Sequence, residues 1–199
     1  MQALQKNAQT CIAVPGGTTP GAYLQALARE PLPWSRIAFL LTDERWTSDD
    51  NPRSNFRLLR ASLGQVADQA QLLPFYREGL DHNQAQKPLG MAVKHLFAEA
   101  VPSVCVLGMG EDGHFASLFP GNPLLEEGLT TLHRVLAVEH LGEARLSLTL
   151  AAINSFQHVA LLIQGAAKRD VLAEAIAGKR PELPIAHLLN SCELEVYQA

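Results

Sequence analysis

The sequence has 199 residues, of which 47% are hydrophobic and 18% are charged, and its formal net charge is −4. This length and composition are typical of one globular domain with a substantial core. The negative charge excludes a global basic field that would attract nucleic acid or an anionic membrane, so an anionic ligand needs a local cluster of cations. No apolar stretch approaches the roughly 20 residues of a membrane span, and no signal peptide is visible. We therefore expect a cytoplasmic protein with no nucleic-acid or membrane partner.

The three cysteines, Cys11, Cys105 and Cys192, lie far apart, and no CxxC or CxxH spacing occurs. This spacing argues against a disulfide framework or a zinc site and fits a reducing compartment. No set of His, Asp, Glu and Cys residues has the spacing of metal ligands. We therefore expect neither a metal ion nor an organic cofactor.

Short apolar runs alternate with helical patterns along the chain. In chain order we predict strand 10–14, helix 20–29, strand 36–41, helix 55–63, strand 71–75, helix 84–100, strand 103–108, strand 145–150, strand 158–164, helix 166–177 and strand 194–198. A long polar loop, TDERWTSDDNPRSN, is expected after the second strand, and Pro88 is expected at or near the first turn of the long helix. The alternation predicts an α/β fold, a Rossmann-like and mainly parallel sheet flanked by helices, in a single domain over residues 1–199.

Four of the predicted strands are followed by unusual polar sequences. These are PGGTTP (15–20), TDERW (42–46), GMGEDGH (108–114) and QGAAK (164–168). The carboxyl ends of parallel strands meet at one edge of a sheet, where such folds bind their ligands. The four loops therefore indicate a single composite site.

The glycines of residues 108–113 match the G-x-G-x-x-G pattern of dinucleotide sites. That fingerprint also needs a long helix after the third glycine and an acidic residue about 20 positions further on. Here Pro120 and Gly121 end any helix after barely two turns, and His133 stands where the acid should be. The pattern instead favours a loop whose backbone N–H groups approach a ligand closely.

Asp112 and His114 lie in this same loop. A histidine at a strand end is a candidate general base, and a nearby carboxylate can fix its tautomer and raise its basicity. The alternative is a structural histidine in a tight turn. The three other polar loops on the same rim favour the catalytic interpretation. No G-x-S-x-G nucleophile elbow occurs, so Ser117 is interpreted as structural.

The segment PGGTTP offers backbone N–H groups and two hydroxyls just before a helix N-terminus, which favours anion binding. A plain strand-to-helix turn, with Thr19 as N-cap and Pro20 at the first helical position, is the alternative, and both can hold together. Nearby cations would suit a phosphate ester. The two candidates are Arg145 and Lys168, which would be ordinary surface cations if considered alone. Arg45 could pair with Glu44 or Asp43, but its place at the carboxyl end of a strand favours contact with the ligand.

With these motifs the sequence resembles the 6-phosphogluconolactonases of the bacterial type, which are related to glucosamine-6-phosphate deaminase. VPGGTTP resembles the S-G-G-x-T-P loop of that family, LTDERW its D-E-R strand end, and RSNFRLL its S-N helix start. LGMGEDGHFASLFPG resembles its longest signature, and RLSLTLAAIN and QGAAK resemble its Arg strand and G-x-x-K helix start. The likeness runs from residue 10 onward over nearly the whole chain.

Three features depart from the family pattern. Pro15 replaces the usual Ser of the phosphate loop, and Phe115 replaces a usual Thr. Only nine residues precede the first predicted strand, whereas family members usually carry a further helical and strand segment there. We therefore expect that an N-terminal segment of the family is lacking.

The resemblance implies hydrolysis of 6-phosphoglucono-1,5-lactone in the oxidative pentose phosphate pathway, without metal or cofactor. His114 would deprotonate the attacking water, Asp112 would orient His114, and Arg45 or loop N–H groups near Gly110 would stabilise the oxyanion. The implied substrate- and phosphate-binding residues are Gly16, Gly17, Thr18, Thr19, Asp43, Asn55, Gly110, Arg145 and Lys168. Two alternatives remain open. An amino-sugar-phosphate isomerase or deaminase shares the D-G-H loop but continues it without S-L-F-P-G, and a sugar-phosphate sensor would need no base.

Overall fold

The computed structural model describes residues 9–17 and 20–198. Its strands are β1 Thr10–Val14, β2 Ile37–Leu41, β3 Asp43–Arg45, β4 Gln71–Leu73, β5 Val101–Gly108, β6 Val135–His140, β7 Glu143–Leu148, β8 His158–Ile163 and β9 Leu194–Gln198. Its α-helices are α1 Pro20–Leu27, α2 Asn55–Leu63, α3 His82–Glu99, α4 Leu125–Thr130, α5 Leu150–Ile153, α6 Ala166–Ile176 and α7 Pro184–Ser191. Short 3-10 helices cover Trp34–Arg36 and Gly64–Asp68.

The central sheet has the strand order β4-β2-β1-β5-β8-β9, and every pairing in it is parallel. All five residues of β2, IAFLL, are buried, as expected for a parallel strand covered on both faces. Cys11 and Cys105 are fully buried in neighbouring strands. The predicted Rossmann-like α/β fold is thereby confirmed.

A second, antiparallel sheet has the order β3-β7-β6 and lies beside the rim of the parallel sheet. Its strands β6 and β7 form a hairpin whose turn residues Leu141 and Gly142 have φ angles of 52° and 75°. Two positive φ angles are typical of the type I′ turn, which matches the twist of the two strands. Because β3 pairs with β7, the sheet joins the loop after β2 to a segment one hundred residues away.

The structure corrects several element predictions. The strand predicted at 145–150 spans Glu143–Leu148 and belongs to the antiparallel sheet, and part of the predicted polar loop forms β3. The long helix α3 begins at His82, because Asp81 and Gln84 form a capping box, so Pro88 lies in the second turn and not the first. As the sequence predicts, no long helix follows residues 108–113.

Four elements, β6, α4, α5 and α7, were not predicted at all. Pro20 begins α1 as predicted, whereas the proposed N-cap Thr19 lies outside the described residues. Within the described ranges, no helix is both long and apolar enough to cross a membrane.

Candidate active site

A cavity of about 280 Å³ lies at the carboxyl ends of the parallel strands. Polar and charged side chains from four loops surround it, as the sequence predicts. The predicted residues that line it are Gly16, Gly17, Asp43, Arg45, Asn55, Gly110, His114, Arg145 and Lys168. Asp112 stands directly behind His114, and Thr18 and Thr19 lie outside the described residues. The structure therefore brings the described members of the predicted set together, while their individual roles remain predictions.

Asp112 and His114 form a close pair. The Nδ1 atom of His114 lies 2.6 Å from Oδ1 of Asp112, and the backbone N–H of His114 donates to the same oxygen at 3.2 Å. A carboxylate at Nδ1 favours the tautomer whose Nδ1 carries the proton and whose Nε2 carries the lone pair. The arrangement thus leaves Nε2 able to accept a proton.

The electrostatics of this pair favour an ionised Asp112. Partial burial alone would raise the pKa of the Asp112 carboxyl, but the charge interaction and hydrogen bonds with His114 outweigh it, so the pKa is lowered below its ordinary value. The side chains of His114 and Asp112 are 30% and 49% exposed. The carboxylate therefore stays negative near neutral pH in a site that water can enter.

Two glycines shape the loop that holds this pair. A Cβ atom on Gly110 would lie 2.3 Å from the His114 ring and 2.5 Å from the Asp112 carboxylate, so only glycine permits this approach. Gly113 has a φ of 79°, and its carbonyl accepts a hydrogen bond of 3.1 Å from the N–H of Ile185 in α7. The unpredicted helix α7 therefore supports the loop that holds Asp112 and His114.

Glu44 is a fully buried carboxylate beside the pocket, and the sequence interpretation missed it. It accepts from the N–H groups of Arg45, Asn55 and Phe56, each at 2.8 Å, and from the Ser54 hydroxyl at 3.0 Å. Burial raises the pKa of the Glu44 carboxyl, and these hydrogen bonds oppose that rise. Glu44 thereby satisfies the first N–H groups of α2 and fixes this helix to β3.

Arg45 and Asn55 are fixed by this junction. The Nη1 atom of Arg45 donates to Oδ1 of Asn55 at 3.0 Å and to the carbonyl of Arg53 at 2.8 Å. The Asn55 amide donates to the Asp43 carbonyl at 2.8 Å. A Cβ on Gly16 would lie 1.9 Å from Oδ1 of Asn55, so glycine is required where the first loop crosses this amide. Arg45 is thus held by neutral acceptors.

Arg145 lies directly opposite Arg45 in the pairing of β7 with β3. Like charges at opposite positions of an antiparallel pair repel each other. Arg145 is balanced by two carboxylates, because its guanidinium contacts Glu143 and lies 3.7 Å from Oδ2 of Asp43. Asp43 also accepts from the Ser117 hydroxyl at 2.6 Å, which agrees with the structural role predicted for that serine.

The pocket carries positive charge that the protein leaves uncompensated. Among the described residues, neither Arg45 nor Lys168 forms an ion pair with a carboxylate, and the buried Nε atoms of Arg45 and Arg145 lack an acceptor. Lys168 stands in the first turn of α6, whose N-terminal N–H groups favour anions. Unpaired buried donors are costly. This arrangement therefore favours an anionic ligand.

Some functional elements carried a sequence signal that was not used. The apolar run VLAV at 135–138, followed by a short glycine turn and the alternating RLSL at 145–148, is a hairpin pattern. Recognising this hairpin pattern would have predicted that Arg145 lies on a strand paired with a neighbouring antiparallel strand. Glu44 offered no such signal, because its contacts join residues that are ten to twelve positions apart and depend on the packing of α2.

Within the described part of the chain, no cluster of three or more His, Cys, Asp or Glu side chains could hold a metal ion. A larger cavity of about 480 Å³ lies between α1 and the sheet, but aliphatic side chains of β1, α1 and β5 form most of its wall. It contains none of the predicted site residues. The polar cavity at the strand ends is therefore the candidate active site.

Known proteins resemble this chain over nearly its whole length. The family described as glucosamine-6-phosphate isomerases/6-phosphogluconolactonase matches residues 1–197. A 6-phosphogluconolactonase from Rhizobium meliloti is 36% identical over 99% of this chain and 88% of its own length. One from Caulobacter vibrioides is 37% identical over 98% of this chain and 84% of its own length.

Solved structures of proteins with the same name also resemble this chain over nearly its whole length. A crystal structure of a 6-phosphogluconolactonase from Shewanella baltica has a TM-score of 0.88 and 27% identity, and the match covers 99% of this chain and 86% of that one. For 6-phosphogluconolactonase from Thermotoga maritima the TM-score is 0.80 and the identity 26%, over 99% of this chain and 88% of the other. The chain therefore belongs to the glucosamine-6-phosphate isomerase and 6-phosphogluconolactonase family.

Proposed function

We propose that this protein is a 6-phosphogluconolactonase that hydrolyses 6-phosphoglucono-1,5-lactone to 6-phosphogluconate in the oxidative pentose phosphate pathway of the cytoplasm. The family and the curated relatives of that name support the activity. The observation that supports the mechanism best is the Asp112–His114 pair, which stands at the edge of a pocket with uncompensated positive charge.

In the proposed mechanism, Nε2 of His114 takes a proton from a water molecule, and the resulting hydroxide attacks the lactone carbonyl carbon. Asp112 holds the imidazole and stabilises its protonated form. The tetrahedral intermediate then expels the ring oxygen, which receives the proton from His114. The carbonyl becomes a carboxylic acid that ionises in water, so atoms and charge balance.

The positive side of the pocket binds the anionic phosphate of the substrate and faces the carbonyl oxygen, on which negative charge develops during the reaction. Lys168, the α6 N-terminus and the glycine loop at residues 16–17 hold the phosphate. Arg45, held only by neutral acceptors, and the backbone N–H groups near Gly110 face the charge that develops on the carbonyl oxygen. Arg145 contributes a second guanidinium, but Asp43 and Glu143 offset its charge.

The assay that tests this function compares three substrates at equal concentration. Freshly prepared 6-phosphoglucono-1,5-lactone should be hydrolysed far faster than its spontaneous rate, and unphosphorylated gluconolactone should be a poor substrate. Glucosamine 6-phosphate tests the alternative chemistry of the same family and should release no ammonia. Ammonia release without lactone hydrolysis would show that the protein is a deaminase and not a lactonase. Equal rates on both lactones would show that the pocket does not recognise the phosphate.

A further inference from the structure

Phe119 lies at the point where the loop that holds Asp112 and His114 meets the β6–β7 hairpin. Its side chain is buried, and the centroid of its ring is 4.4 Å from that of His114, with the two planes tilted by 46°. The central carbon of the Arg145 guanidinium lies 5.3 Å from the same centroid. One aromatic ring therefore touches a group from each side of the pocket.

The ring of Phe119 is itself held in place. His140, at the end of β6, stacks on it in a nearly parallel arrangement, with centroids 3.8 Å apart and planes at 5°. The amide of Asn122 donates to the carbonyl of Glu139 at 2.7 Å, which ties the loop after Phe119 to the same hairpin. The orientation of Phe119 is therefore set by the antiparallel sheet.

The hydrogen bond to Asp112 restrains one edge of the His114 ring, but a single hydrogen bond tolerates a range of distances and angles, so the side chain keeps some freedom in its torsion angles. A buried aromatic neighbour restricts this rotation, because tilted and stacked ring pairs have preferred geometries. General-base catalysis depends on the direction in which Nε2 points, since small misplacements of reacting groups are costly in rate.

We propose that Phe119, supported by His140, is a positioning residue that holds the His114 imidazole in its productive orientation. The inference rests on the proposed function of His114 as the base. Phe119 contacts neither substrate nor water in this role, and it acts through the histidine. Because the antiparallel sheet sets the orientation of Phe119, the structure of that sheet should influence the reaction rate.

The test is a double-mutant cycle on turnover at saturating substrate. Phe119→Leu keeps an apolar side chain but removes the ring. It should lower kcat about 2- to 12-fold, which is the interaction free energy of an aromatic pair expressed as a ratio of rates. In a His114→Ala background the same substitution should change the residual kcat less than 2-fold, because its effect passes through His114. The Kd of inorganic phosphate should stay within about 2-fold of wild type.

Phe156→Leu is the matched control, because Phe156 is also buried and its ring also has an aromatic partner, with ring centroids 5.3 Å apart, but that partner is Phe97 and not His114. It should leave kcat unchanged. If Phe119→Leu fails to fold, His140→Leu replaces it in the cycle and should show a smaller loss with the same coupling.

Equal losses in both backgrounds, or an equal loss in Phe156→Leu, would overturn the inference while leaving the lactonase function intact. A His114→Ala protein that turns over like wild type would instead remove the proposed base.

Discussion

The two sides of the pocket are built in opposite ways. One side, which we call the base side after the proposed role of His114, consists of Asp112 and His114, two positions apart in one loop, and both side chains are substantially exposed. The cation side includes Arg45 and Arg145, which come from strands that are one hundred residues apart. Arg145 is only 15% exposed and is enclosed by Asp43 and Glu143.

This difference indicates on which side of the pocket a substitution should change the stability of the fold as well as the activity. Substitutions on the exposed base side remove few buried contacts, so they should change the reaction rate and leave the fold intact. On the cation side, Arg45 and Asn55 depend on the junction formed by the buried carboxylate of Glu44, so changes at that junction should also affect stability. The predictions below test this separation.

The largest effect short of removing the base is expected for Gly110→Ala. The new Cβ would lie 2.3 Å from the His114 ring, so the ring must move by about 1 Å, and such misplacement can cost about 100-fold in rate. Turnover should therefore fall about 100-fold while the unfolding midpoint changes little. Gly90→Ala, where a Cβ meets nothing within 4 Å, is the control. Full activity in Gly110→Ala would show that the position of the ring is unimportant.

Lys168→Ala should weaken substrate binding on the cation side. A charge-assisted contact to phosphate is worth about 1.5–3 kcal/mol, which corresponds to an increase in KM of roughly 10- to 150-fold. Because Lys168 forms no ion pair with the described residues, its removal should leave stability unchanged. Steady-state kinetics on the phosphorylated lactone measure the effect. An unchanged KM, with unchanged inhibition by inorganic phosphate, would place the phosphate elsewhere.

Glu44→Gln should destabilise the fold. An amide has one acceptor oxygen, so two of the four donors around Glu44 would face an NH₂ group, at a cost of about 1–3 kcal/mol in the free energy of unfolding. Denaturant unfolding measures this, with the exposed Glu78→Gln as the control. A stability equal to wild type would show that the α2 junction is not stabilised by this carboxylate.

Asp112→Asn should lower turnover less than Gly110→Ala does, by about 10-fold or less, because the amide oxygen can still accept from Nδ1 of His114. A pH dependence should accompany it. The pKa of Asp112 is lowered in the folded protein, so its stabilising contribution is present above its unfolded pKa of about 3.9 and is lost as pH falls through the lower folded value. The stability difference between wild type and Asp112→Asn should therefore shrink when unfolding is measured at strongly acidic rather than neutral pH, and a constant difference would contradict this.

The sequence predicted the parallel sheet and its rim well, because those features are local. The strands of the parallel sheet are apolar runs, and the polar loops follow them directly. The capping box of Asp81 and Gln84 was overlooked, which shifted the start of α3 past His82 and misplaced Pro88.

The pairing of β3 within the antiparallel sheet could not be predicted in the same way. The three residues of β3 read as part of a polar loop, and only their pairing with β7 makes them a strand. The ion pair of Arg145 with Asp43 could not be predicted for the same reason, because only the pairing of β3 with β7 brings the two residues together. The contacts of Phe119 depend on the hairpin as well.

The central claim is that His114 supplies the rate and the cation side supplies the binding. The most direct measurement compares wild type with His114→Ala, giving turnover corrected for spontaneous hydrolysis alongside the Kd of 6-phosphogluconate by calorimetry. A positioned general base contributes about 10²- to 10⁴-fold, so turnover should fall within that range while Kd changes little. A folded His114→Ala protein with near wild-type turnover would contradict the account, and Asp43 would then be the next base to test.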